Sequence, residues 1–138
     1  MDGRGRQRTG SRDLISLLVA AALVNLVFVN RYDWAAHMIV GGAIPIAVAA
    51  GLPRSRHAWA SSIGVVAALG AGVIADLTVT GPWDPSDVAF TAAGALIVVG
   101  EHAAAGTPPA RTARAGGVLA LAMVLCAFGF RYGIRRGP

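Results

Sequence analysis

The chain contains no lysine and a single cysteine, Cys126, set within an apolar run. One thiol can form no intrachain disulfide, so no covalent staple shapes the fold. Charge is scarce as well: 14% of the residues are charged and 7% aromatic, against 55% hydrophobic, and the mean hydropathy is +0.60. So little polar sequence cannot clothe a water-soluble core of 138 residues. There is no Gly-x-Ser-x-Gly, phosphate loop, His-Glu-x-x-His or cysteine cluster, so the sequence predicts neither cofactor nor metal. The missing lysines fit the codon bias of a GC-rich bacterial genome.

All twelve basic residues are arginines, and they give a net charge of +5 and a pI near 11. Their placement excludes nucleic acid as a partner, because no basic helix interleaved with aromatics and no zinc-ligand spacing accompanies them. Arg4, Arg6, Arg8 and Arg12 precede the first apolar run, while Arg54, Arg56, Arg111 and Arg114 sit between later ones. Basic residues at membrane boundaries orient a polytopic chain.

Five apolar runs fill most of the sequence, at about 14–30, 34–52, 58–78, 86–104 and 115–130. Each approaches the roughly 17–25 residues that cross a bilayer. Breakers separate them: Pro53 after the second, Gly81-Pro82 and Pro85 after the third, Gly106, Pro108 and Pro109 after the fourth. Trp34, Trp59 and Trp83 stand at span ends, as in an interfacial aromatic belt. The expected fold is therefore an all-α, multi-pass membrane bundle of about five helices. A basic tail (1–13) precedes the bundle (14–131), and a short basic tail (132–138) follows it. If all five runs cross, eight arginines fall on one side of the membrane, which places the N-terminus in the cytoplasm. Arg131, Arg135 and Arg136 in the last tail run against that rule.

With this threading, Asn30, Arg31, Asp33, His37, Asp76, Asp84, Asp87 and Thr91 all gather at the outer face. Asp33 and His37 are one turn apart, as are Asp87 and Thr91, and side chains four apart share a helix face. An Asp near the start of a helix that begins outside can simply be a cap, which applies to Asp33, Asp84 and Asp87. His37 lies too deep to cap, and Asp76 ends a helix where the dipole disfavours an anion, so it needs a partner such as His37 or Arg31. Asp33, His37, Asp76 and Asp87 are the candidate acid–base or polar binding cluster, with Arg31, Asp84, Thr91 and Asn30 as supporting binding residues. Glu101 and His102 end the fourth run on the arginine side, where Arg54, Arg56 or Arg111 are the expected partners. Asn25, in mid-span, is expected to bond across a helix interface.

Asp33-Trp-Ala-Ala-His37 opens one run, Asp76 closes the next, and Asp87-x-x-x-Thr91-x-x-Gly94 opens the one after a Pro-containing loop. In this order and spacing the sequence, from about Asp33 to Gly100, resembles the VanZ-like family of small bacterial integral membrane proteins. Thr91 stands in the family's Asn position, Asp76 where Glu is usual, and Trp34 where a basic residue is usual. The resemblance implies a cell-envelope setting. The family is named for a protein associated with low-level resistance to the lipoglycopeptide teicoplanin. From it follows the expectation of a protein of the bacterial cytoplasmic membrane whose outer-leaflet pocket binds or modifies an amphiphilic envelope precursor or lipophilic glycopeptide. Two alternatives stand beside it: a membrane-embedded acid–base enzyme of cyclase or isomerase type, and a non-catalytic accessory subunit. The expected partners are the lipid bilayer, an amphiphilic small molecule and, in a homo-oligomer, a second copy of the chain.

Overall fold

A computed structural model describes residues 12–29, 31–52, 57–78 and 83–105. The described residues are entirely helical apart from short connections: α1 spans Arg12–Val27, α2 Tyr32–Gly51, α3 His57–Thr78 and α4 Pro85–Ala105. The apolar run at 115–130, both outer tails and Asn30 lie outside the described residues.

Helix is the local solution because in hydrocarbon every peptide group has to be satisfied within its own segment. α2, α3 and α4 each contain a stretch of 20 residues that is long and apolar enough to cross a membrane. α1, with 16 residues, is shorter than expected. At about 1.5 Å per residue it falls short of a hydrocarbon core of about 30 Å. It starts two residues before the first apolar run and stops at Val27. There the chain turns, with the Arg31 amide bonding the Phe28 carbonyl at 2.8 Å.

α2 is the central helix. Ala35, Met38, Ile39, Ala43, Ile46 and Ala49 are all buried in it, and α1, α3 and α4 all pack on it. The contacts are made by small residues. A Cβ at Gly94 of α4 would collide with the Met38 carbonyl of α2, and one at Gly41 of α2 with the Thr91 carbonyl of α4. At Gly64 of α3 a Cβ would come within 2.8 Å of Pro45 Cα and 3.0 Å of its Cβ. In lipid, apolar side chains gain little by leaving their solvent, so close approach of backbones supplies much of the association. Gly41 and Pro45 of α2 and Ala68 and Gly72 of α3 are all buried.

The outer surface is apolar. Leu23, Leu26, Val66, Ile74, Leu77 and Leu96 are each more than half exposed. Among the described residues an apolar exterior of this kind suits acyl chains, and soluble monomers rarely carry one. Trp59 and Trp83 are exposed near helix ends, in keeping with a belt. Trp34 departs from that expectation: it turns inward and stacks on Phe90 with ring centroids 4.8 Å apart.

Candidate functional site

Successive helices alternate in direction, so the start of α2, the end of α3 and the start of α4 meet at one end of the bundle. The start of α1 meets the end of α4 at the other end, where Ser16 donates to Glu101 at 2.6 Å. There the imidazole of His102 lies 3.1 Å from the Asp13 carboxylate, with both residues buried.

At the first end, α4 opens with a built cap. The Ser86 amide donates to Asp84 Oδ1 at 2.9 Å, the Asp87 amide donates to the Asp84 carbonyl, and Pro85 occupies the first helical position. There it has no amide hydrogen to leave unsatisfied. Asp84 is therefore a cap, and it is also an ion-pair partner: Arg31 Nη2 reaches its Oδ2 at 2.6 Å. That guanidinium, followed by the Ser86 amide, holds the Asp84 carboxyl below the usual carboxylate range. Asp33 caps nothing. It accepts from Arg31 Nε at 3.2 Å, and Arg31, the residue before α2, makes no side-chain cap.

Arg31 thus forms a bridge. It binds Asp33 and Asp84, stands 3.6 Å from Asp87 Oδ1, and lies 4.1 Å above the Trp34 ring. A guanidinium over an indole face is held electrostatically as well as by contact. Phe28 packs edge-on against Trp34, so the three rings and the arginine make one wall beside the polar cluster.

Beneath that bridge the side chains are buried. Asp76 and Thr91 have no solvent exposure, and Asp87 has 6%. Thr91 sits in the space beside Gly72, whose absent Cβ would lie 3.3 Å from Thr91 Oγ1. Thr91 Oγ1 donates to the Asp87 carbonyl at 2.8 Å and contacts His37 Nδ1 at 3.2 Å. On the far side of the same ring, His37 Nε2 stands 3.5 Å from Asp87 Oδ2. Asp76 Oδ2 accepts from the Asp84 amide at 3.3 Å. One donor atom each from His37, Asp76 and Asp87 can be chosen so that all lie within 4.8 Å of one another.

Of the predicted residues, His37, Asp76, Asp87 and Thr91 form the inner cluster, and Arg31, Asp33 and Asp84 its rim. Asn30 lies outside the described residues. The buried pair of Asp13 and His102 escaped sequence reasoning, which assigned Asp13 to the basic tail. The available signal was helix alternation, which brings the first turn of α1 to the last turn of α4. Glu101 and His102 find Ser16 and Asp13, while Arg54, Arg56 and Arg111 lie outside the described residues. Asn25 Oδ1 is buried without a hydrogen-bond partner among the described residues.

No family model, curated protein or solved structure matches this chain.

Proposed function

We propose that this is a multi-pass protein of the bacterial cytoplasmic membrane, N-terminus inside, whose outer-face cluster binds the polar head of an amphiphile. The VanZ-like resemblance of Asp33, His37, Asp76, Asp87 and Gly94 belongs to the same proposal. The observation that carries it is the convergence of four carboxylates, from Asp33, Asp76, Asp84 and Asp87, on one guanidinium and one imidazole where three helices meet. Buried polar groups at membrane depth are costly and mark binding or transfer sites. With carboxylates outnumbering cations, the cluster favours a cationic or hydroxyl-bearing head over a bare phosphate. Such heads occur on lipophilic glycopeptides, whose acyl tail would lie along the apolar outer surface.

The test is binding of teicoplanin to the purified full-length protein in detergent. Saturable binding is expected, weakened at least about tenfold by Asp87→Asn or Asp33→Asn. Equal affinity in correctly folded variants overturns the proposal. The placement of His37 Nε2 opposite Asp87 Oδ2 supports a second reading, a general acid–base pair acting on a lipophilic substrate. It requires turnover that His37→Gln abolishes.

A further inference from the structure

We propose that His37, Asp76 and Asp87 hold a first-row divalent transition-metal ion of the zinc class. This deepens the reading above and rests on it, because the ion would form the floor of the same site.

The hydrogen bonds around Thr91 fix the chemistry of the imidazole. A threonine hydroxyl has one proton, and here it is given to the Asp87 carbonyl at 2.8 Å. Towards His37 Nδ1, at 3.2 Å, the hydroxyl oxygen can only accept. Nδ1 therefore carries the ring hydrogen, and a neutral imidazole then presents a bare lone pair at Nε2. That lone pair faces a carboxylate oxygen, Asp87 Oδ2, at 3.5 Å. Two electron-rich atoms so placed repel unless a proton or a metal ion lies between them.

The spacing suits a metal ion. Ligands about 2.0–2.1 Å from a zinc ion at the tetrahedral angle stand about 3.4 Å apart. That match is made by the His37–Asp87 pair; Asp76, from α3, brings a third donor to within 4.8 Å of the other two, and its carboxylate would close in on a bound ion by side-chain rotation. Asp87 Oδ1 is buried and accepts no hydrogen bond among the described residues, although Arg31 Nη2 stands 3.6 Å away. Arg31 offsets the Asp87 carboxylate only from the rim, through that 3.6 Å approach to Oδ1, and a cation at Oδ2 would complete its compensation. A divalent ion would take one oxygen each from Asp76 and Asp87 and have the neutral imidazole as its third ligand.

The surroundings are those that metal ligands require. A ligating imidazole donates its second ring hydrogen to a neighbour that fixes its orientation. Thr91, wedged between Gly41 and Gly72, is that neighbour. The Asp84 amide orients the Asp76 carboxylate in the same way. One nitrogen and two oxygens favour zinc, manganese or iron over magnesium or calcium, which take oxygen alone. Three protein ligands leave a position open to water or to an oxygen of the bound head. Motif spacing could not reveal this donor set, since each ligand comes from a different helix.

The experiment uses tag-free, full-length protein in detergent, stripped with EDTA and titrated with Zn²⁺ alone, with bound metal counted by mass spectrometry. About one ion per chain is expected. His37→Gln and Asp76→Asn should each weaken binding at least about a hundredfold, and Thr91→Val about 10–100-fold. Ser16→Ala, at the opposite end of the bundle, should leave it unchanged. Co²⁺ in place of Zn²⁺ should give visible bands that His37→Gln alters, which reports nitrogen ligation even in a variant of reduced stability. Substoichiometric metal, or uptake indifferent to both His37→Gln and Asp76→Asn, overturns the metal site and leaves a proton bridging His37 and Asp87. Teicoplanin binding measured with and without EDTA separates the two readings. Teicoplanin binding unaffected by EDTA, together with no stoichiometric zinc uptake, removes the metal while keeping the amphiphile site. Stoichiometric zinc without teicoplanin binding keeps the metal and removes the amphiphile.

Discussion

Gly94→Ala is the sharpest perturbation this bundle offers. The new methyl group would be built against backbone: 2.7 Å from the Met38 carbonyl carbon, 3.0 Å from the Gly42 amide nitrogen, and closest of all to the Met38 carbonyl oxygen. No side-chain rotation relieves a clash with main chain. The carbonyl carbon has to retreat from 2.7 Å to at least 3.4 Å for ordinary contact, so α2 and α4 must part locally. Overpacking of this kind costs about 1–3 kcal/mol. The same movement stretches the 3.2 Å contact between His37 and Thr91, which bridges those two helices. Losing that hydrogen bond adds about 1 kcal/mol. A total near 2–4 kcal/mol is expected, read by detergent unfolding followed through tryptophan fluorescence, for which Trp34 against Phe90 is a built-in reporter. Gly100→Ala in the same helix is the control, since no described residue lies within 4 Å of its Cβ position. It should be neutral, or stabilising by about 0.5–1 kcal/mol through helix propensity. Equal stability of the two variants would refute the close approach of α2 and α4.

Asp13→Asn should destabilise the bundle by about 1–3 kcal/mol in the same unfolding assay, because it weakens the charge-assisted contact to His102. It should leave zinc and teicoplanin binding unchanged, since that pair lies at the far end. Trp34→Leu removes both the stack on Phe90 and the face beneath Arg31. A loss of about 1 kcal/mol is expected, with weaker teicoplanin binding in the titration above. With Cys126 replaced by alanine, Trp83→Cys should react with a membrane-impermeant maleimide in intact cells. Labelling only after lysis would reverse the proposed orientation.

The long helices were legible because lipid imposes one rule on every residue. The apolar runs at 34–52, 58–78 and 86–104 become Tyr32–Gly51, His57–Thr78 and Pro85–Ala105, each shifted by a residue or two. α1 was less so. The charge on Asp13 suggested a tail, whereas burial beside His102 makes it part of the helix, and that partner is 89 residues away. At the site, alternation of the helices was enough to gather His37, Asp76, Asp87 and Thr91. It could not assign their roles. Asp33 and Asp84 look alike as helix-opening acids, yet one pairs with Arg31 and the other both pairs and caps. Thr91 as the acceptor for His37 depends on the direction of a single hydroxyl proton. The inward turn of Trp34 depends on Phe90, which sequence gave no reason to place opposite it.

α4 is tied at both ends by polar contacts, to Asp13 and Ser16 of α1 at one and to His37 of α2 at the other. Smooth aliphatic helices have almost no preferred depth, and one can slide along another by a turn at little loss of contact. Fastenings at the two extremities remove that freedom, much as pegs at both ends of a rail do. A slip by one turn would unhook both together, so α4 either holds its height or leaves it all at once. The vertical alignment of His37 with Asp87 is thus guarded from about four helical turns away, by residues at the opposite end of the bundle.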